Sequence, residues 1–274
     1  MFDAWRSPFI RLAPAVLLVM SAHLARAQSI TPKIANGTLT SQWPGVGVVF
    51  TNTGGGSYSE CTGTVIAPRW ILTAAHCLDA PAADVSFLIG NDYTSPVATY
   101  TADQVIVDPS YNVATAAHDL GLIHVTADIP LLAFKLNSQP LTSSIVGSYA
   151  LTMGYGLTKN NPNNSLKYST MLLINSYDSN DEYSSYNSTS SGTCEGDSGG
   201  PLYVYDTDGF PLILGATSYG TSATCGASNS QNAFQRIDVG LSFITGSVGS
   251  GICLDGQSCD GIFRDGVEVP VLGN

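Results

Sequence analysis

Three short segments of the chain combine residue types that can activate a nucleophile. The first, residues 196–201, reads Gly-Asp-Ser-Gly-Gly-Pro and holds Ser198 among glycines. A serine hydroxyl is a weak nucleophile until a base removes its proton. Backbone N–H groups beside it can bind the charge that develops on a carbonyl oxygen, and glycine permits the tight turn this needs. The segment indicates acyl transfer, although a Gly-Ser turn without function has the same short sequence.

The other two segments supply a base and an acid. Residues 72–77 read Leu-Thr-Ala-Ala-His-Cys, so His76 follows an apolar strand end and precedes a cysteine that can anchor it. Residues 118–123 read His-Asp-Leu-Gly-Leu-Ile, so Asp119 opens an apolar strand, where a charge is costly unless it is paired. A histidine N–H would be that partner, and it would fix the orientation and tautomer of the imidazole.

The elements that must position these residues are mostly strands. Short runs rich in Val, Ile, Thr, Leu and Tyr recur between turn signals, and they predict strands near residues 45–51, 63–67, 85–89, 120–125, 149–154, 172–175, 201–205 and 212–218. Helical periodicity is convincing only at residues 237–244. Exposed loops are expected at residues 54–59 and 184–192. An all-β architecture with a short helix at its end fits this pattern.

In this order, the segments 73–77, 119–123 and 196–201 resemble the chymotrypsin-like serine peptidases. The resemblance covers residues 34–244, and three ordered motifs are far more specific than any one of them. Residues 154–156 (Gly-Tyr-Gly) and 218–220 (Ser-Tyr-Gly) resemble the Gly-Trp-Gly and Ser-Trp-Gly segments of that family. The resemblance implies two six-stranded antiparallel β-barrels, a short C-terminal helix and an active site in the cleft between the barrels.

The resemblance also implies a role for each matching residue. Ser198 would attack the scissile carbonyl, His76 would take its proton and later donate it to the leaving amine, and Asp119 would orient His76. The N–H groups of Gly196 and Ser198 would form the oxyanion hole. A secreted serine endopeptidase is therefore expected, with protein or peptide substrates and no cofactor.

Activation is implied at residues 33–37, which read Lys-Ile-Ala-Asn-Gly and resemble the family's activation site, although Ala-Asn replaces the usual Val-Gly. Cleavage after Lys33 would free an Ile34 ammonium group, which by analogy would pair with Asp197 and shape the oxyanion hole. The protein would then be made as an inactive precursor with the propeptide 28–33.

The family's primary specificity pocket has at its bottom the residue six before the nucleophile. An aspartate there selects Lys or Arg, because a buried carboxylate needs a cationic partner. This chain has Gly192 instead, so we expect an uncharged, apolar side chain before the scissile bond. The enzyme should then not cut after its own Lys33, which implies a separate activating protease. The expected pocket residues are Gly192, Thr193, Ser218, Gly220 and Asn232, with Asn232 limiting the depth.

Six cysteines follow the N-terminal region: Cys61, Cys77, Cys194, Cys225, Cys253 and Cys259. An even number in an exported chain indicates disulfides, and six cysteines allow 15 pairings. The resemblance implies Cys61–Cys77 and Cys194–Cys225, and Cys253–Cys259 remains by proximity. Because no Cys-x-x-Cys pair occurs, no metal site is predicted.

The N-terminus is typical of a secretory signal peptide over residues 1–27. Arg6 and Arg11 precede an apolar run at residues 12–20, and residues 25–27 (Ala-Arg-Ala) offer a cleavage site. An uncleaved membrane anchor is the alternative, but the run is short for a membrane span and contains a proline. The mature protein is expected to be secreted, extracellular or periplasmic, and monomeric.

Net charge excludes some partners. The chain carries a formal charge of −11. Removing residues 1–33 takes away four of the ten basic residues and one of the 21 acidic residues, leaving −14. Such a surface repels nucleic acid and anionic membrane, so neither is expected as a partner.

The domain is expected to span residues 34–246 and to be followed by a tail at 247–274. Residues 260–266 (Asp-Gly-Ile-Phe-Arg-Asp-Gly) resemble tails of some bacterial exported proteins, and this suggests a bacterial source. A disordered acidic tail with one small disulfide loop is the alternative. The Asp and Gly spacing suggests calcium, but the distal Glu of a calcium loop is missing, so no metal is expected.

Two other functional classes share part of this pattern. A binding protein can keep the fold and lose catalysis, but such proteins usually lack a catalytic residue, and all three are present here. An esterase on an α/β sheet would carry Gly-x-Ser-x-Gly with the histidine last. Here His76 precedes Ser198, which is the reverse of the esterase order.

Overall fold

Strands dominate the folded chain. The computed structural model describes residues 34, 37–158, 163–185, 191–222, 224–225, 227 and 231–257. Within these ranges lie fourteen strands, three short 3-10 helices and the helix α1 (Ile237–Val248). The strands are β1 (Thr38–Leu39), β2 (Val46–Gly54), β3 (Ser57–Ala67), β4 (Trp70–Thr73), β5 (Val85–Ile89), β6 (Ala98–Val107), β7 (Gly121–Val125), β8 (Lys135–Leu136), β9 (Tyr149–Gly154), β10 (Tyr168–Tyr177), β11 (Asp181–Ser185), β12 (Pro201–Tyr205), β13 (Pro211–Gly220) and β14 (Gln231–Arg236).

The first barrel closes in the order β2-β3-β4-β7-β6-β5, with every neighbouring pair antiparallel. Side chains alternate across a strand with a period of two, and in β5 this places Val85, Phe87 and Ile89 inside. They pack with Ile71 and Ile123 in an apolar interior. A closed barrel leaves no unpaired edge, so its strand ends can hold catalytic residues rigidly.

The second barrel closes in the order β9-β10-β11-β14-β13-β12, and β12 pairs with β9 to complete it. Two short strands extend it: β1 pairs with β10, and β8 pairs with β13 in parallel. Its interior is apolar and is formed by Ala150, Leu172, Ile174, Leu202, Leu214 and Phe234.

A third apolar cluster joins the two barrels. It combines Leu72 and Leu122 of the first barrel with Met153 and Tyr203 of the second. The helix α1 adds Ile237 and Ile244 to the same cluster. Because this close-packed cluster contains residues of both barrels, it fixes the strand ends of one barrel relative to those of the other.

The prediction of two six-stranded antiparallel barrels with a short helix is confirmed. Three strands begin and end as predicted, at Val85–Ile89, Tyr149–Gly154 and Pro201–Tyr205. The helix begins at Ile237 as predicted but continues to Val248. These segments have clear apolar runs bounded by turn residues, which is why sequence alone delimits them.

The two loop predictions are wrong in part. β2 reaches Gly54 and β3 begins at Ser57, so the turn within residues 54–59 is much shorter than expected. The glycines at 54–56 all adopt positive φ, which lets the hairpin reverse tightly. In the segment 184–192, Ser184 and Ser191 are buried rather than exposed. Ser184 belongs to strand β11 instead of a loop. Residues 186–190 lie outside the described ranges.

The signal peptide expected at 1–27, the propeptide at 28–33 with Lys33, and the tail from residue 258 onward with Cys259 also lie outside the described residues. Their boundaries therefore stay predictions. In the described ranges, no helix combines the length and apolar character needed to cross a membrane.

Candidate active site

Asp119 lies just before β7 and is almost completely buried, with 1% of its surface exposed. Its backbone N–H donates to Gln235 Oε1 at 3.0 Å, so a residue of the second barrel fixes its main chain. Its Oδ1 accepts the backbone N–H of His76 at 3.0 Å. The charge that the sequence places at the start of an apolar strand is thus held by several donors, as burial of a carboxylate requires.

His76 lies in the 3-10 turn Ala75–Cys77 that follows β4. Its Nδ1 is 2.8 Å from Asp119 Oδ2. Because a carboxylate accepts but does not donate, Nδ1 carries the proton and Nε2 is left with a free lone pair. About a third of the His76 side chain is exposed, and the residue lines a cavity. The pairing predicted from the sequence is present in the structure.

Ser198 lies in a turn that glycine makes possible. Gly196 has φ +95° and Gly199 has φ +79°, values that residues with a Cβ rarely adopt. A Cβ on Gly199 would lie 2.1 Å from Thr73 Oγ1 of the first barrel. The Ser198 carbonyl accepts the Thr62 N–H at 2.8 Å, which ties the turn to strand β3.

Ser198, Gly196 and His76 line one cavity of about 570 Å³. Within the described part of the chain, the N–H groups of Gly196 and Ser198 donate to no protein acceptor. Ser198 Oγ and His76, which both belong to the described residues, are not joined by a hydrogen bond. Catalytic hydrogen bonds are often long in the absence of substrate and tighten in the complex.

Asp197 is buried below this turn. Its Oδ1 accepts the Gly156 N–H and its Oδ2 accepts the Cys194 N–H, each at 2.8 Å. Burial raises the pKa of Asp197 to about 7, although these two hydrogen bonds act in the opposite direction. Among the described residues it forms no ion pair with a cation. Ile34, its expected partner after cleavage, is 1% exposed.

A second cavity, of about 250 Å³, lies beside Ser198 at the position where the sequence predicts the specificity pocket. Thr193, Ser218 and Gly220 line it, as the sequence predicts. Gly192 is buried but is not in the described lining. The only charged residue in that lining is Glu195, which is solvent-exposed.

Asn232 is fully buried behind this cavity rather than in its described lining. Its Oδ1 accepts hydrogen bonds from the N–H and the hydroxyl of Thr193, at 2.8 and 2.9 Å. Its Nδ2 donates to the Ser184 carbonyl at 3.0 Å. Its amide therefore fixes the Thr193 wall.

Two disulfides brace the site. Cys61–Cys77 closes behind His76, and Cys194–Cys225 joins the turn before Ser198 to the loop after β13. Cys253 is also disulfide-bonded. Cys61, His76 and Cys77 lie within reach of one another, but sulfurs joined in a disulfide are not thiolate metal ligands.

Sequence reasoning missed two buried acids on β11. Asp181 and Glu182 are 4% and 0% exposed, and neither Asp181 Oδ1 nor either Glu182 carboxylate oxygen has a hydrogen-bond partner among the described residues. Burial, aided by the charges of Asp178 and Asp119, raises the pKa of Asp181 to about 7. Burial, aided by Asp238, raises that of Glu182 to about 8. Because β11 lacks an alternation of apolar and polar residues, its sequence gives no sign that Asp181 and Glu182 are both buried.

Two closed barrels, with a His–Asp pair and a glycine-bounded serine in the cleft between them, define the chymotrypsin-like class. Sequence comparison agrees. The family model "Trypsin" matches residues 37–244. Bovine chymotrypsin-like elastase family member 1 is 25% identical over 265 residues, covering 88% of this chain and 99% of its own length. Brachyurin of the crab Leptuca pugilator is 30% identical over 206 residues, covering 69% and 88% respectively.

The chain therefore belongs to the trypsin family and is a serine endopeptidase, a hydrolase of peptide bonds. Clotting factor C of Tachypleus tridentatus, which is 24% identical over 226 residues, matches 68% of this chain with only 22% of its own length. These relatives are animal proteins, so they give no support to the bacterial source suggested by the tail.

Proposed function

We propose that Ser198, His76 and Asp119 form the catalytic triad of this endopeptidase. The observation that carries the proposal is the buried Asp119 carboxylate, which accepts both the backbone N–H and the ring Nδ1–H of His76. This arrangement orients the imidazole through Nδ1, and His76 lines the same cavity as Ser198. A histidine so oriented can serve as the general base for the Ser198 hydroxyl.

The reaction proceeds through an acyl-enzyme. As Ser198 Oγ bonds to the scissile carbonyl carbon, His76 Nε2 takes the hydroxyl proton, and the carbonyl π electrons move to oxygen. The C–N bond then breaks while His76 returns the proton to the leaving amine. Water repeats the sequence, with His76 again accepting a proton, and releases the acid and free Ser198.

The negative charge on the tetrahedral oxygen is stabilised by the N–H groups of Gly196 and Ser198. Both groups lack a protein acceptor among the described residues, so they are available to the substrate. Preorganised donors of this kind typically contribute about 10²–10³ in rate each.

Ser198→Ala and His76→Ala test the triad. Each should lower peptide hydrolysis by several orders of magnitude, and the double variant should be little worse than either, because the residues act as a unit. Asp208→Asn, which alters an exposed carboxylate at the β12–β13 turn, is the matched control and should keep full activity. Near-normal turnover by folded Ser198→Ala protein would refute the assignment.

We further propose that the enzyme prefers an uncharged, apolar side chain before the scissile bond. Support comes from the 250 Å³ cavity, whose described lining offers Thr193, Ser218 and Gly220 and no buried carboxylate. A cationic side chain entering it would lose hydration without gaining a buried counter-charge, since Glu195 is solvent-exposed. Matched peptides with Phe, Leu, Ala, Lys, Arg and Glu at that position decide the question, and a hundredfold preference for Lys or Arg would contradict it.

Activation by cleavage after Lys33 is the third part of the proposal. Asp197 supports it, because a buried carboxylate with two N–H donors and no cationic partner among the described residues gains from a new ammonium partner. The Ile34 ammonium would be that partner, and the uncharged pocket implies that another protease makes the cut. Precursor digested with trypsin should begin at Ile34 and gain activity, whereas Asp197→Asn protein cut at the same bond should stay at least a hundredfold less active. Full activity of uncut precursor would contradict this.

The remaining proposals concern processing. We infer export with removal of residues 1–27, a mature domain at 34–246 that acts as a monomer, and a tail at 247–274 closed by a Cys253–Cys259 bridge. The buried, disulfide-bonded Cys253 supports the bridge. N-terminal sequencing of secreted protein, non-reducing peptide mapping and light scattering test these three points. A mapped bridge between Cys253 and any other cysteine would refute the pairing.

A further inference from the structure

The described linings of the two cavities share Ser198 and Glu195 and otherwise consist of different residues. The 250 Å³ cavity has the Ser218–Gly220 segment of β13 in its lining and lacks His76. The 570 Å³ cavity is lined by His76 and by Cys61 of the disulfide behind it. Because His76 must hand its proton to the leaving amine, the chain segment that leaves must lie against His76. The larger cavity is therefore the leaving-group cleft.

Two carboxylates occur in the described lining of the leaving-group cleft. Glu60 comes from β3 of the first barrel, and Glu195 comes from the turn before Ser198. Apart from His76, no basic side chain occurs in that lining within the described ranges. The cleft thus presents negative potential to whatever residues follow the scissile bond.

Glu60 is held in place. The Tyr93 hydroxyl lies 3.0 Å from Glu60 Oε2 and 2.7 Å from the Asn164 carbonyl oxygen, and its proton is shared between these acceptors. The Tyr93 ring packs edge-on against Phe50 at 5.1 Å, which limits its movement. Burial and the charge of Glu60 raise the pKa of Tyr93 to about 12, so it remains a donor at neutral pH. Glu60 Oε1 has no partner among the described residues and is free to accept from a ligand.

From this geometry we propose that the leaving-group cleft selects Lys or Arg within the first two residues after the scissile bond, with Glu60 as the main determinant and Glu195 assisting. The inference rests on the proposed roles of Ser198 and His76. A preorganised carboxylate at the wall of a cleft forms short charge-assisted hydrogen bonds with guanidinium or ammonium groups. An acidic protein attracts cations everywhere, so position-specific discrimination, rather than salt-dependent binding, is the diagnostic property.

Acyl transfer to an added nucleophile measures how the leaving-group cleft recognises residues, separately from the formation of the acyl-enzyme. An ester substrate forms the acyl-enzyme, and an added peptide amide then competes with water. In the productive reaction the ester bond to Ser198 Oγ breaks, a C–N bond forms, and His76 moves the amine proton to Oγ. The nucleophiles are X-Gly-amide and Gly-X-amide, with X being Arg, citrulline, Lys, Gln or Glu. Citrulline has nearly the shape of Arg without its charge.

We expect the activated wild-type enzyme to transfer to Arg at least tenfold better than to citrulline in one of the two series. Glu60→Gln should reduce that ratio below threefold, Glu195→Gln should reduce it less, and Asp208→Asn should leave it unchanged. Equal transfer to Arg and citrulline by wild-type enzyme, or an unaltered ratio in Glu60→Gln, would overturn the inference. Failure to form any acyl-enzyme would instead refute the proposed triad, so the two failures are distinguishable.

Discussion

Ser218 Oγ donates a hydrogen bond to Asp119 Oδ2 at 2.5 Å, although 99 residues separate the two in the chain. The same oxygen accepts from His76 Nδ1. Ser218 is 5% exposed and comes from β13 of the second barrel, whereas Asp119 and His76 belong to the first. The second barrel thus supplies a donor to the acid of the His–Asp pair, and the orientation of that pair depends on how the barrels are docked.

Ser218→Ala should therefore lower kcat while leaving KM nearly unchanged. The substitution removes one of three donors to a buried carboxylate, and a hydrogen bond to a charged group contributes about 1.5–3 kcal/mol. We expect a fall of roughly tenfold in kcat, since His76 and its backbone N–H still hold Asp119. Ser218→Thr, which keeps the hydroxyl, is the matched control in steady-state assays. A variant that raised KM alone would show that Ser218 acts only on substrate binding.

Gly220→Val should narrow the specificity pocket without disturbing the backbone. A Cβ there would lie 3.5 Å from the nearest atom, the Ser222 carbonyl oxygen, which is ordinary contact. The added methyl groups would enter the 250 Å³ cavity. Hydrolysis after Phe or Leu should fall at least tenfold relative to hydrolysis after Ala, measured as kcat/KM on matched peptides. An unchanged Phe-to-Ala ratio would show that substrate side chains do not enter this cavity.

Glu182 should make the stability of the precursor depend on pH. Burial raises its pKa from 4.5 to about 8, so the folded state binds a proton that the unfolded state has already lost between those values. The free energy of unfolding should fall as pH rises through this window, and Glu182→Gln should remove roughly 3 kcal/mol of that decline between pH 5 and 8. Arg236 and Asp238, which act on Glu182, remain in both proteins. Urea unfolding at several pH values measures the slopes, and parallel curves would contradict the prediction.

The fold, and the three residues that we propose as the triad, could be identified from the sequence because their signals are local. Each of Ser198, His76 and Asp119 sits in a short motif whose neighbours serve the same chemistry, namely a permissive glycine, an anchoring cysteine and an apolar strand. The strands with clear apolar runs, such as Val85–Ile89, could be predicted for the same reason.

The rest depends on contacts between distant parts of the chain. Ser218 and Gln235 hold Asp119 from the other barrel, and nothing beside them in the sequence marks that role. Glu182 lies fully buried at a position that reads as polar surface. Asn232 lies next to the predicted pocket, but its role is to hold Thr193 in place. Its Oδ1 accepts the N–H and the hydroxyl of Thr193, two buried donors that would otherwise need other partners.

The most direct test of the account is covalent labelling of the nucleophile. A fluorophosphonate probe with an uncharged side chain reacts only with a serine that a base has activated. Activated enzyme should take up one equivalent of probe, and peptide mass spectrometry should place it on Ser198, while His76→Ala protein should label at least a thousandfold more slowly. Stoichiometric labelling at another residue, or an equal rate in His76→Ala protein, would contradict the proposed triad.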